Sequence, residues 1–125
     1  MKNLFAIFIL FSIISSCNWS NAPLGGDYYY LDTDEAMDIG FPDGAIIYKS
    51  QNRNVFSEIL IPGDVVEVVF DDRYIIAEQM PREFEGNFRP TYFYLIHKPD
   101  GSIYGPCSSD SLAKLKRSFK IELEL

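Results

Sequence analysis

The apolar and polar positions of the chain change their spacing along its length, and each spacing predicts a different kind of structure. An apolar run extends from Leu4 to Ile14, close to the N-terminus. Between residues 27 and 104 the apolar residues form short stretches rich in β-branched and aromatic side chains, separated by Gly, Pro and Asp, which is typical of strands. Leu112, Leu115 and Phe119 then recur at helical spacing. The pattern therefore predicts a β-rich domain with one helix near the C-terminus.

The clearest pair of strands lies in residues 64–79 and predicts a hairpin. Its turn is expected at Asp71-Asp72, because aspartate tolerates turn conformations better than most residues. This register places Val68 opposite Ile75, and Val66 shares their apolar face. One apolar and one mixed face are expected of a sheet that packs on one side.

A second hairpin and the helix follow. Residues 91–98 predict a strand, Pro99-Asp100-Gly101 its turn, and Gly105-Pro106 the end of the returning strand. One serine of the pair Ser108-Ser109 is the expected N-cap of the helix. Residues 120–125 alternate apolar and charged side chains and predict a closing strand.

These elements together predict an α+β domain over residues 27–125. We expect a small antiparallel β-meander of five or six strands, with one C-terminal helix packed on the sheet. A chain of this length is typical of one folding unit.

The N-terminal segment has the composition of a secretory signal peptide: the charge of Lys2, the apolar run and two small serines. The run is too short to span a bilayer, which takes about 20 residues. The ending Ile14-Ser15-Ser16-Cys17 resembles the lipobox of bacterial lipoproteins, whose cysteine is acylated and becomes the mature N-terminus. The resemblance implies a signal peptide at residues 1–16, palmitate on Cys17 and a tether over residues 17–26. It also implies a lipid-anchored, extracytoplasmic location in the cell envelope.

Charge and cysteine content narrow the range of partners. The chain carries 11 basic and 18 acidic residues, a net charge of −7, and loss of Lys2 with the signal peptide makes it −8. Nucleic acid binding needs Lys and Arg to neutralise phosphates, so this balance argues against a nucleic acid partner. It also disfavours adhesion to anionic lipids, so the lipid on Cys17 would be the link to the membrane. Cys107 then has no disulfide partner, and we expect it to be buried and unreactive.

The run from Val68 to Gln79 contains the pattern Asp-Asp-x-aromatic-Ile-Ile-x-x-Gln. A strand ending in Lys98 and the step Tyr104-Gly105-Pro106 come after it. This combination is similar to a family of short bacterial lipoproteins with a domain of unknown function, over most of residues 27–125. The resemblance implies a tethered extracytoplasmic domain and transfers no catalytic or binding residue.

Residue types that often carry chemistry have structural interpretations in this sequence. His97 is the only histidine, and its apolar neighbours favour a structural position over a general base. Four acidic residues between positions 32 and 38 suggest calcium, but an EF-hand loop there lacks a required oxygen ligand and glycine. We therefore expect a solvated acidic loop, and no catalytic residue, metal or cofactor.

The tyrosine content suggests a contact surface. Neighbouring tyrosines on a strand point to opposite faces, so some must be exposed, covered by other elements or used in contacts. The candidates are Tyr28 and Tyr30 on one strand, and Tyr92 and Tyr94 on another. The alternative is a sheet covered on both faces, with no such surface.

The leading functional hypothesis is a membrane-tethered, non-catalytic domain that binds a protein or another envelope component. An inhibitor or immunity-type protein is the first alternative, favoured by the small size and the acidic charge. A small hydrolase is the second, although the sequence contains no hydrolase motif.

Overall fold

A computed structural model describes residues 21–82, 86 and 89–125. The fold is α+β, as predicted, but its strands form two antiparallel sheets of four rather than one meander of five or six. The strand orders are β1-β2-β3-β4 and β5-β6-β7-β8. The elements are β1 (Asn21–Pro23), β2 (Tyr28–Leu31), α1 (Thr33–Asp38), β3 (Ile46–Lys49), β4 (Glu58–Ile61), β5 (Val65–Phe70), β6 (Tyr74–Gln79), β7 (Tyr92–His97), β8 (Ser102–Cys107) and α2 (Ser109–Phe119). Neither α1 nor α2 is long and apolar enough to cross a bilayer.

The two sheets pack face to face around a shared apolar core. The first sheet and its connections contribute fully buried side chains such as Ile47 and Ile61, and the second contributes Ile75, Ala77 and Ile96. Burial of apolar area is worth about 25 cal/mol per Å². This inter-sheet core is therefore a main source of stability, and a single sheet would lack it.

Each sheet is also covered on its outer face. The outer face of the first sheet packs with Ala36 of α1 and with Phe56 of the β3–β4 connection. The outer face of the second packs with Leu112 of α2 and with Ile121 and Leu123 of the C-terminal segment. The sheets therefore match the alternative in which both faces are covered.

Residues 21–26, predicted to belong to a tether, are part of the folded domain. Strand β1 pairs with β2, so that Asn21 lies opposite Leu31, and the Leu24 side chain is fully buried. A three-residue strand that contains a proline is too short to show alternation. Cys17 lies outside the described residues.

The β5–β6 hairpin turns one residue later than predicted. The Asp71 carboxylate accepts hydrogen bonds from the backbone N–H groups of Arg73 and Tyr74, both at 2.8 Å. Asp71 therefore stabilises the turn from its first position, and Val68 lies opposite Ala77. The predicted pairing of Val68 with Ile75 was wrong by two residues, a shift that leaves both on the inner face.

A bulge in β5 reverses the prediction for the residues at its start. The register shifts between Val65 and Glu67, so that Val65 is buried in the inter-sheet core and Val66 is 49% exposed. A bulge inserts one extra residue and changes which side chains face inward. Val66 had been assigned to the apolar face on alternation alone, and that assignment was wrong.

The C-terminal elements agree with the sequence in part. Ser108 is the N-cap of α2 and accepts the Ser111 N–H at 3.2 Å, as predicted. Strand β8, however, continues through Gly105-Pro106 to Cys107, where a register shift accommodates it against β7. Residues 120–125 form no strand, and their apolar side chains pack beside α2 instead.

Candidate functional site

A groove at one end of the sandwich, which we call the end groove, is the main candidate site. It consists of two adjoining cavities of about 650 and 310 Å³ that share Asp27 and Lys49. The larger cavity is lined by Asp27, Lys49, Ser50, Gln51, Asn52, Val55, Ser57 and Glu58. The smaller is lined by Gly26, Asp27, Tyr28, Lys49, Asp72, Lys98 and Pro99.

Strand pairing fixes the position of the end groove relative to the N-terminus of the described chain. Tyr28 pairs with Lys49 at one end of β2 and β3, and Leu31 pairs with Ile46 at the other. Asn21 lies opposite Leu31. Backbone pairing therefore places Asn21 beside the Leu31 end of the sheet, while its side chain donates to Asn54 Oδ1 at 2.6 Å, in the same β3–β4 connection that lines the end groove.

Lys98 joins the two sheets below the end groove. Its Nζ donates hydrogen bonds to the carbonyl oxygens of Leu24 and of Asp71, the latter at 2.5 Å. The same ammonium lies 5.2 Å from the ring centroid of Phe70. Desolvation by burial lowers the pKa of Lys98, against the opposing effect of the Asp71 and Asp72 carboxylates. The Lys98 ammonium is thus largely occupied by hydrogen bonds to the backbone of the protein itself.

Lys49 is the contrasting cation of the end groove. Its Nζ lies 5.2 Å from the ring centroid of Tyr28, in cation–π contact. Among the described residues, no carboxylate lies within salt-bridge distance of this ammonium. The hydroxyl of Tyr28 donates to the carbonyl oxygen of Lys98 at 3.3 Å, which fixes the ring beneath Lys49. Lys49 is therefore positioned by packing and keeps donors for a ligand.

The wall opposite Lys49 is built from the β3–β4 connection. Ser50 is buried, its backbone N–H donates to Asp27 O at 2.8 Å, and its hydroxyl accepts the Asn52 N–H at 3.3 Å. The hydroxyls of Ser50 and Ser57 lie 3.4 Å apart. Together with the carboxylates of Asp27 and Glu58, these groups give the groove donors and acceptors of both charges.

The four tyrosines predicted to form a contact surface are not an exposed patch. Tyr28 is 3% exposed within the inter-sheet core, and Tyr30 and Tyr94 are half-buried against it. The Tyr94 hydroxyl donates to Gln79 Oε1 at 3.1 Å, and burial raises the pKa of both Tyr30 and Tyr94. Tyr92 alone of the four is exposed, at 37%. The structure does not bring the four side chains together in one exposed patch, and Tyr28 lines the end groove.

The remaining candidate residues have structural contacts. His97 Nδ1 lies 2.8 Å from Asp100 Oδ1. The pKa of Asp100 falls to about 2, mainly because its carboxylate accepts hydrogen bonds from Ser102 and then from His97. Ser108 is occupied as the cap of α2. This geometry gives His97 a place in the β7–β8 turn.

The acidic stretch at residues 32–38 is a helix rather than the predicted loop. Asp32 is the N-cap of α1 and accepts the Glu35 N–H at 2.9 Å, and Asp34 and Glu35 lie in the first turn, where the helix dipole favours them. In the part of the chain that the structure describes, no three His, Cys, Asp or Glu side chains are arranged to hold a metal ion.

Cys107 is half-buried rather than buried. Its Sγ donates to the carbonyl oxygen of Phe93 at 3.3 Å, and burial raises the pKa of the thiol. The thiolate is the reactive form of cysteine, so this environment lowers reactivity at neutral pH.

Sequence reasoning missed Asp27 and Lys49 as members of a site. Asp71-Asp72 and Lys98 had been singled out only as motif residues, yet they meet Lys49 at the same end of the sandwich. Gly25 and Gly26, both at positive φ, turn the chain between β1 and β2 beside them. In the sequence, the Gly25-Gly26 step before the three tyrosines of β2 was the one local indication of a turn beside the end groove.

Comparison with known proteins gives one family. No curated protein and no solved structure matches the chain significantly. Residues 25–125 match the family described as "Protein of unknown function (DUF3997)", which covers the domain from the Gly25-Gly26 turn to the C-terminal segment. The chain therefore belongs to the DUF3997 family.

Proposed function

We propose that this protein is a lipid-anchored, extracytoplasmic, non-catalytic domain that binds a partner in the end groove. The observation that carries the proposal is Lys49, which lies over the Tyr28 ring in an open polar groove without a carboxylate partner among the described residues. A cation that the fold positions and that makes no salt bridge to the described residues, although Glu58 lies opposite it on β4, is suited to recognition.

The proposed anchor and the end groove are compatible in space. Acylated Cys17 would precede Asn21 by four residues, which span at most about 14 Å when fully extended. Because the Asn21 side chain contacts Asn54 in the connection that lines the end groove, a short anchor would hold this connection close to the bilayer surface. The partner would then be met near the membrane surface.

The lining of the end groove favours a polar partner that carries both charges. Lys49 would bind a carboxylate or backbone carbonyl, and Asp27 and Glu58 would accept from amines or amides. A segment of an envelope protein has these groups at short intervals. A purely apolar ligand would leave the polar lining unpaired, at a cost of about 1–3 kcal/mol per buried group.

The anchor is tested by Cys17→Ser. We expect this variant to lose labelling by radioactive palmitate and to move from the membrane fraction to the soluble or uncleaved pool. Wild-type protein made in the same cells is the control. Labelling that persists in Cys17→Ser would rule out the lipoprotein interpretation.

The groove is tested by photo-crosslinking of the full-length protein in membranes, followed by mass spectrometry of the captured proteins. Lys49→Glu should remove at least one captured partner while lowering the unfolding free energy by only about 1–2 kcal/mol, because it loses the cation–π contact and places a second carboxylate opposite Glu58. Lys114→Glu makes the same charge change at an exposed position on α2, outside the end groove, and should retain that partner. Identical capture by both variants would contradict binding through Lys49.

The inhibitor or immunity-type alternative is favoured by the acidic surface of α1, where Asp34, Glu35 and Asp38 are exposed. It predicts a secreted toxin or enzyme with a basic face as the captured partner. Capture would then depend on the α1 carboxylates rather than on Lys49.

A further inference from the structure

A second groove lies on the outer layer of the second sheet, between α2 and the C-terminal segment, and we call it the α2 groove. Its volume is about 470 Å³. Leu112, Ala113 and Ile121 supply apolar lining, and Ser109 is at one end. The charged lining residues are Lys116, Arg117, Lys120, Glu122 and Glu124.

The charged lining of the α2 groove has a small positive excess, three cations against two carboxylates, in a protein of net charge −7. Lys116 is paired with Glu124, with Nζ and Oε1 3.4 Å apart. Arg117 and Lys120 are exposed, and no carboxylate of the described residues lies within salt-bridge distance of either. Residues 114–120 hold four of the chain's 11 basic residues, against 18 acidic ones in total. The groove thus combines an apolar floor with two exposed cations, Arg117 and Lys120, that make no salt bridge to the described residues.

Helix α1 presents the complementary surface on the other side of the sandwich, and we call it the α1 knob. Met37 and Ile39 are large apolar side chains, yet they are 48% and 49% exposed. They follow the fully buried Ala36 within three residues of the chain. Exposed carboxylates of Glu35 and Asp38 adjoin them. Arg82 approaches the Met37 sulfur at 4.0 Å, but its charge is already paired with Asp64. The knob is apolar at its centre and acidic around it.

We propose that the α2 groove receives the α1 knob of a second copy of this chain. Apolar side chains would meet the groove floor, and the carboxylates of the knob would face Arg117 and Lys120. Groove and knob lie on opposite outer layers of the same molecule. The contact is therefore heterologous, and each added copy leaves one knob and one groove free, which extends the assembly side by side.

This association does not depend on the lipid anchor or on a ligand in the end groove. Failure of the palmitate or Lys49 experiments would leave the self-association result unaffected.

Sedimentation velocity of the full-length protein in a mild non-ionic detergent tests the contact over a concentration series. We expect the wild type to form progressively larger species as its concentration rises. Met37→Glu in the knob and Arg117→Glu in the groove should each weaken association by at least about tenfold. Val66→Glu and Arg53→Glu are matched controls at exposed positions outside both surfaces and outside the end groove, and they should sediment as the wild type does. Circular dichroism checks that every variant is folded.

A mixture of the two interface variants gives the sharpest result. Met37→Glu retains an intact groove and Arg117→Glu an intact knob, so equal amounts should form a dimer that does not extend. A wild type that remains monomeric, or a mixture that forms no dimer, would overturn the proposal. A third outcome would also overturn the proposal. If the wild type did not self-associate but sedimented with phosphatidylglycerol vesicles, and Arg117→Glu did not, the groove would be assigned to anionic lipid.

Discussion

Replacing Lys98 by methionine should destabilise the fold because this ammonium connects the two sheets. Methionine keeps the apolar stem and its contact with Phe70 but removes the donor to the carbonyl oxygens of Leu24 and Asp71. Hydrogen bonds to charged groups contribute about 1.5–3 kcal/mol each. If Lys98 were fully buried, two such hydrogen bonds would add about 3–6 kcal/mol to the free energy of unfolding.

The expected loss is smaller than that upper range because Lys98 is only partly buried and its desolvation opposes the bonds. The lowered pKa of Lys98 reports this opposing effect. We therefore expect Lys98→Met to reduce the free energy of unfolding by about 2 kcal/mol. That is a large fraction of the roughly 5–15 kcal/mol typical of a domain.

The assay is urea unfolding followed by far-UV circular dichroism, with Lys49→Met as the matched control. Lys49 contributes one partly exposed cation–π contact, so its replacement should cost no more than about 1 kcal/mol. The slope of the unfolding transition should stay unchanged in both variants. Equal losses in the two variants, or a loss below about 0.5 kcal/mol for Lys98→Met, would refute the assigned role of Lys98.

The pH dependence gives an independent check on the same residue. The pKa of Lys98 in the folded protein lies below its unfolded value of 10.5, so the unfolded state binds the proton more tightly. The contribution of Lys98 to stability therefore increases as the pH rises from the lowered pKa toward 10.5. The difference in unfolding free energy between wild type and Lys98→Met should widen in that interval.

Two further stability predictions test the core and a like-charge pair. Ile75→Ala should lose about 2–4 kcal/mol because Ile75 is fully buried between the sheets, whereas Val66→Ala should change stability by less than about 0.5 kcal/mol. Comparable urea midpoints for these two variants would contradict the assigned register. Glu78 lies opposite Glu67, and burial and this neighbour raise its pKa above 4.5, so stability falls as the pH rises through the raised pKa. Glu78→Gln should therefore gain up to about 1 kcal/mol at pH 7 and nothing below pH 4, and a gain independent of pH would exclude the charge explanation.

Local signals in the sequence were enough for the elements that local forces specify. The N-cap at Ser108 and the apolar spacing of α2 depend on neighbours within a few residues, and both agree with the structure. The β7–β8 turn at Pro99-Asp100-Gly101 also depends on local chemistry, since Gly101 N–H donates to His97 O at 2.9 Å. Such features do not require knowledge of the rest of the fold.

Elements that depend on distant contacts could not be predicted in this way. Helix α1 has six residues and buries only Ala36, so it shows no helical period. Strand β4 is short, and the bulge that exposes Val66 has no marker such as glycine at that point. Helix α1, strand β4 and the bulge in β5 depend on packing between residues that are distant in the sequence.

The four tyrosines do not form one exposed patch, for a physical reason that belongs to the whole fold. The expectation from sequence assumed a single sheet with a core on one face. Such a core could bury only the tyrosines that point to that face. Two sheets with two covering layers bury both faces of each sheet. Tyr28 and Tyr94 therefore pack in the inter-sheet core with their hydroxyls hydrogen-bonded to Lys98 O and Gln79 Oε1.

Asp72 and Lys98, which belong to the family resemblance, line the end groove, whereas several other residues of the resemblance have structural roles. Asp71 holds a turn, and Gln79 Nε2 donates to Gly63 O at 2.9 Å, which links β6 to the β4–β5 connection. At Gly105 a Cβ atom would lie 2.6 Å from the carbonyl oxygen of Phe93, so this position requires glycine for close approach. These residues would be needed by any protein with this sandwich, whatever it binds. The residues that could distinguish one binding activity from another are therefore those that the fold does not need, such as Lys49, and it is there that substitutions should separate function from stability.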